Sequence, residues 1–493
     1  MMISIKELFE NLPYLSMVKE NTEISGISYN TKDIDPGDIF VCLKGQNSDG
    51  HSFIDEALKK RAKALVVSHK KYIPKGISGV VVSDTRKTLA EISNKFYDYP
   101  GNDIKLIGIT GTNGKTTTST VVHEILTRSG IKSGLIGTMN WIVGEETHKS
   151  IHTTPQAVEL QSMLRQMVDS DVETTVMEVS SHALSLDRVT GCKYDIVAYT
   201  NLTQDHLDFH KNMDEYLNAK MRLFTDKTLH KDDAVAVINI DDPYSCVFLE
   251  NFSGKKYTYG ISNGDFCAEN IEMTSTGSSF KVICIKEELD IKLKLIGKFN
   301  IYNALLAIAI CYLNGIELRK IAKIIAGIEP VDGRFQVVQA DKKRKKMPTV
   351  IVDYAHTPDG LEKILETAYN IAPGRVNLIF GCGGDRDRAK RPKMANIAAK
   401  YASKIIVTSD NPRTENPIDI IDEVLSGFCV EEMTKVEAVL DREEAINKMI
   451  IESEEMDVII IAGKGHEDYQ IFADRTIHFD DREVAKKALN NYK

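Results

Sequence analysis

The stretch "GITGTNGKTTT", Gly108 to Thr118, decides how the rest of this chain is read. Before it runs an apolar, strand-like segment, "IKLIGIT"; after it comes a helical pattern with Val121, Val122, Ile125 and Leu126 on one face. Strand, glycine-rich turn and helix in that order open a βαβ unit. In such a turn glycines let backbone N–H groups close on a phosphate, Lys115 supplies a point charge, and the Thr116 hydroxyl can ligate Mg²⁺. The strict phosphate-loop pattern is broken at its first glycine, where Ile109 stands, but the ending Gly111-Thr112-Asn113-Gly114-Lys115-Thr116 keeps the chemistry. No N-K-x-D element for reading guanine occurs, so ATP is the expected nucleotide.

A chain of 493 residues is too long for one core. Short β-like runs ("DIFVCL", "AKALVV", "GVVVS") alternating with helical patterns predict a small α/β unit over 1–99, closed by "YPGND". The phosphate-loop block, with buried-type strands "TTVMEV" and "DIVAYTNL", runs over 100–331. A third α/β block over 332–493 carries "TVIVDYA", "VNLIFG", "KIIVTSD" and "DVIIIAG". A formal charge of −9 argues against a nucleic-acid partner. No apolar run approaches the roughly 18 residues of a membrane span. The N-terminal "MMISIKELFENLPYL" lacks the order of a signal peptide and reads as a domain start. Eight scattered cysteines without a C-x-x-C pair predict buried free thiols in a reducing cytoplasm. The run "DKKRKK", 341 to 346, reads as a solvated hairpin tip.

Two clusters carry further chemistry. Glu178 ends the strand "TTVMEV" and faces the phosphate loop, where an NTPase keeps a Mg²⁺ ligand. In "NLTQDHLDFH" the spacing of Asp205, His206, Asp208 and His210 is also compatible with zinc, though no cysteine accompanies it. Lys220 in "NAKMRLF" reads on its own as a snorkelling surface lysine. In the third block, chemistry follows the strand ends, where open parallel sheets bind ligands. Asp353, Arg386, Arg413 and Glu467 are expected to converge there, with Gly383, Gly384 and Gly463 allowing close backbone approach. Arg386 and Arg413 beside Asp410, Asn411 and Glu467 suit a ligand bearing both carboxylates and amines, since a guanidinium grips carboxylate bidentately.

"GTNGKTTT" resembles the form used by the Mur ligase superfamily, which includes folylpolyglutamate synthases, and the likeness extends over essentially the whole chain. It is most similar to the branch adding the third amino acid to the peptidoglycan precursor UDP-N-acetylmuramoyl-L-alanyl-D-glutamate. The resemblance implies three α/β domains: a uridine-binding N-terminal domain, a central phosphate-loop ATPase and a C-terminal Rossmann-like domain for the incoming amino acid. It implies ATP contacts from the loop residues through Thr117, and from Asn300 and Arg334. Thr116, Glu178, His206 and Lys220 become the Mg²⁺ set, with Lys220 N-carboxylated. Lys115, His206 and Lys220 become the catalytic residues.

Tyr29, Thr31, Gln46, Asn47, Ser48, Thr153, Thr154, Ser180 and Arg188 are the implied contacts to the UDP-muramoyl dipeptide. The motif Asp410-Asn411-Pro412-Arg413, with Arg386, Gly463 and Glu467, is similar to that of relatives that add meso-diaminopimelate; Arg413 would repel the distal ammonium of lysine but hold a distal carboxylate. A cytoplasmic monomer in cell-wall biogenesis is the expectation. The alternatives are a lysine-adding ligase, a folylpolyglutamate synthase, or a nucleotide-dependent switch without chemistry.

Overall fold

The computed structural model describes residues 2–45, 48–261, 263–285, 287–341 and 347–492. Gln46, Asn47 and positions 342–346 of the charged run lie outside them. Three large sheets follow one another along the chain. The first has the order Ser16–Val18, Ser78–Val81, Ala64–Val67, Ile39–Val41, Ile27–Ser28, parallel except at its first pair.

Lys105–Thr110 sits inside the second sheet, parallel to Thr174–Glu178 on one side and Tyr194–Tyr199 on the other. Its side chains alternate between two cores. Ile107 and Ile109 pack with helices Lys115–Arg128 and Lys298–Leu313, while Leu106 faces helices Ala157–Asp169 and Met213–Thr225. Helices on both faces are why these strands read as continuous apolar runs. The sheet reaches eleven strands through a hairpin, Asn140–Val143 with Glu146–Lys149, and an antiparallel meander, Phe266–Thr274, Gly277–Cys284 and Glu287–Leu293. Neither extension is anticipated by the sequence reading.

In the third sheet the order is Gln336–Val338, Thr349–Asp353, Val458–Ala462, Val376–Phe380, Lys404–Val407, Val436–Ala438. Only the edge strand Gln336–Val338 is antiparallel, pairing with Thr349–Asp353. The carboxyl ends of the other five share one side, and their loops carry the candidate ligands. Beneath those ends lies a fully buried ion pair, Arg442 Nε to Asp481 Oδ1 at 2.7 Å. The same guanidinium donates to the carbonyl of Ala462 at 3.0 Å, tying two helices to a strand end. Removing one partner of a buried pair leaves an unpaired charge, so Arg442→Met is expected to destabilise this domain by about 3–5 kcal/mol, read as a lowered melting transition.

All eight cysteines are free, but the expectation of burial fails at Cys246 and Cys429, which are exposed, and at half-buried Cys267. Cys429 sits in the loop after helix Pro417–Leu425, where no sheet covers it. Among the described residues no helix is long and apolar enough to cross a membrane.

Candidate active site

The phosphate loop depends on two glycines that no other residue could replace. A Cβ at Gly111, φ +147°, would stand 1.8 Å from Thr200 Oγ1; one at Gly114, φ +86°, 2.4 Å from Asn303 Oδ1. Lys115 folds back, donating from Nζ to the carbonyls of Gly111 and Thr112 at 2.9 and 2.8 Å. Burial holds its ammonium below the ordinary lysine range.

Glu178, buried at its strand end, accepts from Thr116 Oγ1 at 3.0 Å. Thr138, which the sequence reading missed, donates to the same carboxylate twice, from its N–H at 2.8 Å and its hydroxyl at 2.9 Å. Thr138 follows the neighbouring parallel strand Ser133–Ile136, but its partner Glu178 lies 40 positions further along the chain. From the third sheet's domain, Arg334 Nη2 donates to Thr116 Oγ1 at 3.2 Å. Hard oxygen donors from a hydroxyl and a carboxylate 3.0 Å apart fit Mg²⁺.

Lys220 is fully buried rather than snorkelling. Its Nζ donates to the Gly111 carbonyl at 2.7 Å and lies 4.5 Å from the centre of the Tyr216 ring. Burial, and then Lys115, push its ammonium well below the usual range. His206 adopts φ +55° and meets Asp205 at 3.3 Å. Burial drives its imidazole down to about 3 against the opposing pull of Asp205. His210 bonds Ser181 Oγ at 3.0 Å, and among the described residues no group of three or more His, Cys, Asp or Glu is placed to hold a metal ion.

These groups line a cavity of about 650 Å³ between the second and third sheets. Its far wall comes from Tyr354, His356, Asp359 and Lys363, and Asp359 already accepts from Asn113 Nδ2 at 2.8 Å. Asp353 opens on this cavity rather than on the amino-acid loops, because the N–H groups of Phe335 and Ala355 bind its carboxylate at 2.7 Å each. Asn303 lines the wall; Asn300 stands behind it, donating to the Ile296 carbonyl and accepting from Asn303 Nδ2.

Thr153 and Ser180 line the cavity's other end. Thr154 Oγ1 donates to the Glu178 carbonyl at 2.8 Å, and Arg188 Nη1 to the Thr154 carbonyl at 3.0 Å. Arg188 Nε is buried without a partner among the described residues. Tyr29 crosses from the first domain to donate to Glu159 Oε1 at 2.7 Å. Thr31 offers its carbonyl to Lys60, and exposed Ser48 its carbonyl to Gly45.

The amino-acid loops gather beyond the far wall. Arg413, at φ +52°, donates from Nη1 to the Gly384 carbonyl at 2.7 Å. The two loops interlock because a Cβ on Gly384 would stand 1.9 Å from the Pro412 carbonyl. Asn411 Nδ2 donates to Glu467 Oε2 at 2.8 Å, and Gly463, φ +116°, packs on Asp410. Arg386 is exposed and bonded to the Asp385 carbonyl at 3.0 Å. Tyr354, on the cavity wall, meets the ring of His466, the residue before Glu467, with ring centres 5.1 Å apart, so the two sites adjoin; its phenol is raised by burial and then by the Glu467 charge.

Residues 109–311 match the description "Mur ligase middle domain", 333–465 "Mur ligase, glutamate ligase domain" and 23–97 "Mur ligase family, catalytic domain". A protein of Bacillus cereus called UDP-N-acetylmuramoyl-L-alanyl-D-glutamate–2,6-diaminopimelate ligase is 46% identical over 475 residues, covering 96% of this chain and 95% of that one. Its namesake in Halalkalibacterium halodurans is 44% identical with 99% of both chains covered. A solved structure of the same name superposes with a TM-score of 0.69 at 29% identity, over 100% of this chain and 99% of that one.

Proposed function

The chain belongs to the Mur ligase family, and from that premise we propose that it joins meso-2,6-diaminopimelate to the D-glutamyl γ-carboxylate of UDP-N-acetylmuramoyl-L-alanyl-D-glutamate at the expense of ATP. The observation that carries this reading is the adjacency of the phosphate-loop cavity to the loop bearing Arg413 and Glu467, with Tyr354 between them.

The γ-carboxylate oxygen attacks the γ-phosphorus of ATP, ADP leaves, and an acyl phosphate results. The diaminopimelate amine, having lost its proton, then attacks the acyl carbon and phosphate departs. Lys115 and the loop N–H groups offset charge on the transferring phosphoryl group. Thr116, Glu178, His206 and a carboxylated Lys220 would hold Mg²⁺, which when bound neutralises phosphate charge. Thr138 fixes the Glu178 carboxylate. Thr153, Thr154, Ser180 and Arg188 present the dipeptide end, and Tyr29, Thr31, Gln46, Asn47 and Ser48 hold the uridine nucleotide. Arg334, reaching Thr116 across the domain boundary, helps exclude water from the acyl phosphate. The reading carries with it the expectation of a monomer acting in the cytoplasm.

The test is phosphate release with ATP, Mg²⁺ and the UDP-muramoyl dipeptide, with meso-diaminopimelate, with L-lysine, and with neither. Release that needs both the dipeptide and diaminopimelate is expected. Equal turnover with lysine would overturn the substrate, and release without either acceptor would indicate a switch. Glu178→Gln, which keeps the shape but loses the charge, should raise the Mg²⁺ concentration for half-maximal release at least about tenfold.

A further inference from the structure

Lys464 has no role in the reaction described so far, yet it is among the most buried cations in the chain. Its side chain is 0% exposed. Three polar groups of the amino-acid loops surround its Nζ: Asn411 Oδ1 at 3.2 Å, Glu467 Oε2 at 3.4 Å and Asp410 Oδ1 at 3.6 Å. Asp410 Oδ1 has no hydrogen-bond partner among the described residues, and the Lys464 ammonium stands 3.6 Å from it. The loops are otherwise unrelated in sequence. Asp410 and Asn411 follow the strand Lys404–Val407, and Lys464 and Glu467 follow Val458–Ala462.

Two carboxylates side by side in a buried site repel each other, and one takes up a proton unless a cation intervenes. Glu467 shows the strain: burial, then Asp410, raise its carboxyl, while Lys464 and Asn411 pull it back. The other groups facing it are Tyr354 from the cavity wall, Tyr469 from the following strand, and Arg442 from below. Tyr469 and Tyr354 are neutral phenols raised by burial, and Arg442 is committed to Asp481. Lys464 is therefore the counter-ion within contact distance.

We infer that Lys464 is a positioning residue for amino-acid specificity, holding Asp410, Asn411 and Glu467 together as the ammonium-binding half of a pocket whose other half is Arg413. The ligand it serves is an amino acid with an ammonium and a carboxylate at its far end. This deepens the ligase reading and rests on it for the identity of that amino acid.

The experiment pairs a kinetic arm with one that needs no substrate. In full-length Lys464→Met, KM for diaminopimelate should rise about tenfold or more while KM for ATP and kcat stay within about threefold. Carbon-13 NMR of labelled glutamate should find Glu467 titrating about one unit or more higher than in the wild type. On a Glu467→Gln background the same substitution should cost less than about threefold further, because the group it acts through is already neutral. If Lys464→Met does not fold, Lys464→Gln gives the same readouts. An unshifted Glu467 titration, or losses spread equally over ATP and diaminopimelate, would overturn the proposal. Should the wild type instead use another amino acid, the diaminopimelate assignment falls on the kinetic arm while the titration still decides the role of Lys464.

Discussion

Lys220→Ala is expected to lower phosphate release by about 10²–10³-fold, the scale seen when one electrostatic element around a transferring group is lost. The geometry disfavours a bare lysine as the working form. Its Nζ has the Gly111 carbonyl and the Tyr216 ring for company, and among the described residues no carboxylate lies in ion-pairing range. Lys115 donates to the same carbonyl, so two ammonium groups would share one acceptor in a buried site. Carboxylation removes that conflict by turning one cation into an anion.

Carbamate forms from the neutral amine and CO₂. Burial, and then Lys115, push the Lys220 ammonium well below its usual range, which favours the neutral amine that CO₂ requires. The sign follows. As pH falls, the amine is protonated, carbamate is lost, and activity should decline. Wild-type enzyme stripped of CO₂ should lose turnover and regain it on adding bicarbonate. Lys220→Arg should neither work nor respond, since a guanidinium is not carboxylated. Full turnover in CO₂-free buffer would sink the modification.

Much of this site could be read from the chain, for identifiable reasons. The phosphate loop was legible because its glycines, lysine and threonine lie within seven consecutive positions between two periodic segments. Glu178 was legible because strand ends are marked by where an apolar run stops. Thr138 and Asp359 were not, because each acts on a partner distant in sequence: Thr138 on Glu178, and Asp359 on Asn113, 246 positions away. Asp353 was read onto the wrong pocket because a strand end fixes the side of a sheet but not the direction of a side chain; two backbone N–H groups decide that. The antiparallel meander stayed hidden since Phe266–Thr274 and Glu287–Leu293 are polar and half exposed, without the apolar run that betrays a buried parallel strand. Read on its own, Lys220 looked like any lysine on a helix; the family resemblance singled it out, and in the structure its burial sets it apart.

Arg413→Ala should cost about 3 kcal/mol in kcat/KM for diaminopimelate, roughly 150-fold, as expected when one partner of a hydrogen-bonded charge pair is truncated. At φ +52° the residue lies in the left-handed region, which is costly for an arginine, and the loop holds it there through an N–H bond to the Ile471 carbonyl at 3.1 Å. Its Nη1 is anchored on Gly384 and Asn411 carbonyls. Among the described residues Nε and Nη2 carry no bond, which leaves a fork edge for a carboxylate. The loss should therefore fall on KM for diaminopimelate, with KM for ATP unmoved. Lysine decides between this account and a scaffold role. A clamp that also repels a distal ammonium predicts that Arg413→Ala narrows the preference for diaminopimelate over L-lysine, because lysine gains as diaminopimelate loses. If both amino acids lose equally, the arginine only shapes its loop and the distal carboxylate is held elsewhere.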